Sequence, residues 1–137
     1  MAARLTALLG LPGAGKSTYA KSLSGTILGA DEIRTANADP RRAFIRLHAL
    51  IKRHLARGEH CIVETCNLDA GERSFLLGVA REHGARTRLV VFTTPVQLCR
   101  LRRAGEMPEY DWAKAEKLYV RACVDCLHEP WDERIQR

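Results

Sequence analysis

Gly10-Leu11-Pro12-Gly13-Ala14-Gly15-Lys16-Ser17 fits the pattern G-x-x-x-x-G-K-[ST] at every fixed position, and no other stretch restricts the fold of this chain as much. An apolar run, Arg4 to Leu9, precedes it and suits a buried parallel strand; Thr18 to Leu23 follows and suits a helix. Strand, glycine loop and helix therefore come in the order that aims backbone N–H groups and the positive end of a helix at phosphate oxygens. Residues 10–18 are the expected nucleotide cradle: Gly10, Leu11, Pro12, Gly13, Ala14, Gly15, Lys16, Ser17 and Thr18. Lys16 would reach the β- and γ-phosphates of ATP or another nucleoside triphosphate, and the Ser17 hydroxyl would hold Mg²⁺, with Thr18 packed behind it.

The rest of the chain alternates short strands with helices. Thr26–Ala30 predicts a second strand that delivers Asp31-Glu32-Ile33-Arg34 at its C-terminal end, the edge where open α/β sheets bind ligands. Asp39-Pro40 predicts the cap and first turn of a long helix ending before Gly58. A third strand, His60–Glu64, a helix from about Glu72 to His83 and a fourth strand, Thr87–Thr93, follow. Thr94-Pro95 opens a further helix through Ala104, Asp111 caps a last one reaching about His128, and Arg134-Ile135 suggests a short fifth strand. This alternation argues for an α/β fold: one domain spanning 1–137, with a central parallel sheet of four to five strands, helices on both faces and the phosphate loop at its centre.

Phosphoryl transfer needs an acceptor base, a metal holder and cations near the migrating charge. Asp31 stands where it either accepts the proton of an acceptor hydroxyl or caps a helix, and Arg34 follows within one turn, able to fix an acceptor phosphate. Glu64 ends a strand, a position that suits Mg²⁺, directly or through water, or the acceptor site. Arg100, Arg102 and Arg103 look like a lid closing over the phosphates. Cys123-x-x-Cys126 with His128 lacks a second ligand pair at zinc spacing, so these cysteines are assigned to the core.

Charge bears on the acceptor. The net charge is +6, and 17 of the 22 basic residues are arginine, which matches either a polyanionic acceptor or a GC-rich genome. On the long helix Arg42, Arg46, Arg53 and Arg57 share one sector, forming either a nucleic-acid contact or a solvated face. Nothing resembles a secretory signal or a membrane span, and five cysteines are odd in number; a cytoplasmic protein without a membrane partner is expected.

With these residues in place, the chain resembles the P-loop kinases of the polynucleotide 5′-hydroxyl kinase type, within the AAA_33 and zeta-toxin-like group. Beyond the loop, the likeness rests on Asp31-Glu32-Ile33-Arg34 where that family has D-x-x-R, and on Glu64-Thr65-Cys66-Asn67-Leu68 where it has D-x-T-N-L. Glu72-Arg73, the Thr94-Pro95 step and Glu129-Pro130-Trp131-Asp132 are also similar. The resemblance implies a P-loop kinase fold, with ATP and Mg²⁺ as cofactors and nucleic acid as partner, DNA before RNA. It implies Asp31 as general base, Arg34, Glu64 and Asn67 toward the acceptor, and one lid arginine. The acceptor would be a 5′-hydroxyl end or, as in similar small phage kinases, the hydroxymethyl group of 5-hydroxymethyluracil in DNA, which puts the protein in a host cytoplasm. A small-molecule kinase of the gluconate or antibiotic type and a non-enzymatic nucleotide switch remain the alternatives.

Overall fold

Five strands, Arg4–Leu9 (β1), Thr26–Gly29 (β2), His60–Glu64 (β3), Arg86–Val91 (β4) and Glu133–Gln136 (β5), form one parallel sheet in the order β2-β3-β1-β4-β5. The structure is a computed structural model and describes residues 2–29 and 39–137. Its helices are Lys16–Lys21 (α1), Pro40–Ala56 (α2), Ala70–Glu82 (α3), Val96–Arg102 (α4) and Trp112–Asp125 (α5), the last running into a 3₁₀ turn at Cys126–His128.

The alternation of β1 explains the two layers, because successive strand residues face opposite sides of the sheet. Leu5, Ala7 and Leu9 pack with Leu47, Ile51 and Leu55 of α2 and Leu76, Val79 and Ala80 of α3. Leu8, on the other face, packs with Ala20 of α1, Cys99 of α4 and Ala115 of α5. Both faces are thus covered, as an all-parallel sheet requires. Among the described residues no helix is long and apolar enough to cross a membrane.

Caps set the element limits. The carboxylate of Asp39 accepts from the N–H groups of Arg41 and Arg42, and that of Asp111 from Lys114 N–H, each such cap contributing about 1 kcal/mol. Asp69 caps α3 through Glu72 N–H, so the helix starts at Ala70, two residues before the expected Glu72. Helix α4 covers only Val96–Arg102 and its N-cap, Pro95, offers no side-chain acceptor. The expected strand ending at Thr93 stops at Val91, and the fifth strand is present at the sheet edge on β4.

The order of strands reverses at β1, whose neighbours β3 and β4 lead the chain to opposite edges. Such a switch point opens a crevice at the C-terminal strand ends, and the glycine loop follows β1 directly into it.

Candidate active site

The loop between β1 and α1 is shaped by its glycines. Gly13 and Gly15 have φ of 85° and 103°, a region that side chains disfavour. A Cβ on Gly13 would lie 2.8 Å from the carbonyl oxygen of Cys99 in α4, whereas one on Gly15 would meet nothing within 4 Å. Gly13 is thus fixed by packing against α4, while Gly15 leaves open space beside the first turn of α1. Two hydrogen bonds brace the loop from the β4 side: Thr94 Oγ1 donates to the carbonyl of Ala14 at 2.9 Å, and Arg102 Nη1 to that of Gly13 at 3.0 Å.

Lys16 is 8% exposed. Its ammonium donates to the carbonyl oxygens of Gly10 (3.0 Å) and Leu11 (2.8 Å) and lies 3.9 Å from Cys66 Sγ. Burial pushes its pKa down, opposed in part by Glu64 and reinforced by Arg103. A buried ammonium whose short hydrogen bonds go to two neutral carbonyls has much to gain from an anion, which makes the site fit for phosphate. The Ser17 hydroxyl donates to Glu64 Oε1, so the end of β3 and the first turn of α1 put one hydroxyl and one carboxylate side by side. That donor set, hard oxygens with one negative charge, suits Mg²⁺.

These residues open onto a cleft of about 1340 Å³. Its β4–β5 side carries Thr94, Arg102, Arg103 and Arg137; its β3 side carries Glu64, Thr65, Leu68, Asp69 and Glu72, with Phe44 of α2. Arg137 lies 5.0 Å from the centroid of the Tyr19 ring, which meets Phe92 edge-on.

Sequence-predicted residues fall into three groups. Pro12 to Thr18, Glu64, Asn67, Arg102 and Arg103 line the cleft. Gly10 and Leu11 lie beneath it, where Leu11 is in the core and both carbonyls hold Lys16. Asp31 and Arg34 lie outside the described residues.

Three expectations need correction. Arg42, Arg46 and Arg53 do not line the cleft: at about 100° per residue they project about 160–200° from Phe44, the α2 residue that does. All three are exposed on the side of α2 away from its core residues Leu47, Ile51 and Leu55. Arg100 is exposed and away from the cleft as well, leaving Arg102 and Arg103 of the lid cluster, the latter paired with Glu106 at 3.0 Å. Asn67 is committed to the backbone: its amide donates to Leu8 (2.7 Å), Val63 and Thr65 carbonyls, and its φ is 54°. It shapes the loop after β3, offering no free donor to an acceptor.

Sequence reasoning missed the residues that depend on long-range pairing. Arg73, fully buried, donates from Nε to the Glu129 carboxylate (3.0 and 3.1 Å) and from Nη1 to the carbonyls of Asn67 and Leu68 (both 3.0 Å). Thr94 and Glu72 also emerge only from the fold. Their one sequence signal was the resemblance at Glu72-Arg73, Thr94-Pro95 and Glu129, which carried no role.

The model of the AAA_33 family, described as an AAA domain, matches residues 5–118. No curated protein matches the chain. Among solved structures, the chain is similar to the Mycobacterium tuberculosis APS kinase CysC in complex with AMPPNP and APS, with 22% identity and a TM-score of 0.63 over 98% of this chain and 88% of that one. It is similar to the shikimate kinase from Acinetobacter baumannii in complex with shikimate, with 18% identity and a TM-score of 0.57, covering 98% and 83%. A chain of a Pnkp1/Rnl/Hen1 complex aligns with 20% identity and a TM-score of 0.61, over 81% of this chain and 42% of that one. At these identities the likeness establishes the fold: an α/β P-loop kinase fold with a five-stranded parallel sheet.

Proposed function

The chain belongs to the AAA_33 family, and on that premise we propose that it is an ATP-dependent phosphotransferase that passes the γ-phosphate to an alcohol hydroxyl. The observation that carries this reading is the placing of Lys16, Ser17 and Glu64 together where the glycine loop opens into the cleft, with Ser17 bonded to Glu64 and Lys16 in the field of its carboxylate. Backbone N–H groups from Gly13 to Ser17 would hold the phosphates of bound ATP, Lys16 would turn from the loop carbonyls to phosphate oxygens, and Ser17 and Glu64 would hold Mg²⁺, directly or through water. The metal supplies neutralisation of charge on the transferring group. Arg102 or Arg103, on the opposite wall, stabilises the charge that develops on it. Asp31 takes the proton of the acceptor hydroxyl and Arg34 orients the acceptor, as the D-x-x-R resemblance implies.

The likeness to kinases in complex with AMPPNP and APS or with shikimate supports this class over a nucleotide switch. Labelled ATP and a panel of hydroxylated acceptors test it: transfer should far outrun hydrolysis, and Lys16→Ala should reduce it by about 10²-fold or more. Hydrolysis alone, unaltered by any acceptor, would make the protein a switch.

A nucleic-acid acceptor is the second reading. Glu64-Thr65-Cys66-Asn67-Leu68 and the Pnkp1 likeness favour it, with a 5′-hydroxyl end or the hydroxymethyl group of 5-hydroxymethyluracil in phage DNA as the phosphate acceptor and a host cytoplasm as the location. It requires steep weakening of acceptor binding with salt, by a slope of about −0.7 to −0.9 per phosphate contacted. Label entering a closed circular DNA that contains the modified base would identify the base as acceptor; label on linear 5′-hydroxyl strands alone would identify the end.

A further inference from the structure

Glu72 is a cleft carboxylate that a side chain outside the phosphate loop, His48, holds in place. Its Oε2 pairs with His48 Nε2 at 2.8 Å, and its Oε1 has no partner among the described residues. The imidazole is itself immobilised, stacked on Phe75 with ring centroids 3.7 Å apart and 19° between planes, and flanked by Phe44 at 6.1 Å. Lys52, four residues on from His48, is occupied over the Phe75 ring at 5.8 Å and does not line the cleft. At the start of α3, Asp69 adds a second carboxylate, and Phe44 and Leu68 complete that wall.

Among its described residues the cleft is therefore polarised. Lys16, Arg102, Arg103 and Arg137 gather at the loop and on the β4–β5 side, and carboxylates gather on the β3 side. Among the described residues of that wall, even a charged His48 sets one positive charge against the two carboxylates of Asp69 and Glu72. A phosphodiester entering there would meet like charge, whereas hydroxyls or an ammonium would find acceptors.

Resting on the kinase reading above, we propose that the β3-side wall takes a small hydroxylated molecule, uncharged or cationic and without phosphate. Glu72 Oε1 accepts a hydrogen bond from one of its hydroxyl or ammonium groups, and Phe44 covers its apolar face. His48 acts as a positioning residue that fixes the Glu72 rotamer and leaves one lone-pair edge facing the cleft. The entropy of ordering that carboxylate is settled before the acceptor arrives, which favours affinity.

The test measures ADP release from MgATP by the full chain with three probes: an uncharged cyclitol, an aminocyclitol, and a 5′-hydroxyl oligodeoxynucleotide. Stimulation by one or both small probes and none by the oligonucleotide is expected. Glu72→Gln, close to isosteric, should raise the KM of the active probe tenfold or more with the KM for ATP unchanged, and His48→Phe should raise it by a smaller factor. A gain of stimulation by the oligonucleotide in Glu72→Lys would support the same wall as the selector. Stimulation by the oligonucleotide alone, by neither small probe, or a probe KM untouched by Glu72→Gln overturns the proposal. Phosphoryl transfer from ATP to some other alcohol of a wider hydroxylated panel separates that failure from failure of the kinase reading, in which MgAMPPNP is not bound or ATP is hydrolysed without response to any acceptor.

Discussion

The hydroxyl of Ser17 donates to the carboxylate of Glu64, tying the first turn of α1 to the end of β3 across 47 residues of sequence. Both groups are accessible from the cleft, so each can turn from the other to a cation without unfolding anything. Glu64→Gln keeps the shape and the hydrogen bond but removes the charge. It should raise the Mg²⁺ concentration for half-maximal phosphoryl transfer by about 10–100-fold, the range typical of residues that hold or orient a metal shell. A Mg²⁺ titration at saturating ATP checks this, and an unchanged midpoint would leave Glu64 with a purely structural bond to Ser17.

Lys16→Ala should reduce turnover by about 10²-fold or more, as removal of one charge-stabilising donor does in other enzymes. It should also relieve the burial of an ammonium, so its melting temperature should stay near the wild-type value or rise. Calorimetry alongside single-turnover kinetics separates the two effects. A large fall in stability would mean that the bonds to Gly10 and Leu11 outweigh the burial of the charge.

Gly13→Ala places a methyl 2.8 Å from the Cys99 carbonyl at a φ of 85°. The left-handed strain and the contact together should cost about 1–3 kcal/mol and displace the loop from α4. Gly84→Ala, at φ 61° with nothing near its Cβ, bears the strain alone. Denaturant melts of the pair should rank Gly13→Ala as the less stable, and only it should weaken nucleotide binding.

Arg73→Met should destabilise the protein by about 3 kcal/mol or more, since it leaves the partly buried Glu129 carboxylate without its cation. Arg73→Lys should rescue little, because one ammonium cannot serve Glu129 and two carbonyls at the angles of a guanidinium. Urea titrations of the two variants and the wild type test the ranking.

Asp132 is held below the ordinary carboxylate pKa chiefly by the N–H of Thr87, with the Thr87 hydroxyl and Arg86 adding to it. A depressed folded-state pKa contributes stability that is complete above the unfolded value, about 3.9, and is lost as pH falls through the lower folded value. The melting temperature of Asp132→Asn should thus lie below wild type by a constant amount from pH 7 to about 5, and the gap should close below about pH 4. A gap that widens in acid would contradict the assignment.

Patterns that repeat within a few residues were legible in the sequence. Strand β1 and its loop, β3 and the caps at Asp39 and Asp111 follow from local apolar runs and turn chemistry, and alternation gave the parallel sheet. Where the sequence reading placed α3 two residues late, the cap was a carboxylate one turn earlier, Asp69, within a loop whose shape depends on Asn67. The arginine stripe on α2 was visible as a stripe, but its direction relative to the cleft was not. That direction is set by which residues of α2 reach β3 and α3, a long-range property. His48–Glu72 and Arg73–Glu129 were hidden for the same reason: partners 24 and 56 residues apart leave no periodicity to count.

The guanidinium of Arg73 welds the turn after β3 to the segment that leads into β5. An engineer who grafts the 64–72 stretch from a relative to reshape the cleft would transplant only half of a working part. The other half, Glu129 with the Trp131 indole that donates to the same carboxylate, lies at the far end of the chain. Chimeras that exchange both pieces together should fold and retain their new preference, and chimeras that exchange either alone should express poorly, making the portable unit of specificity discontinuous.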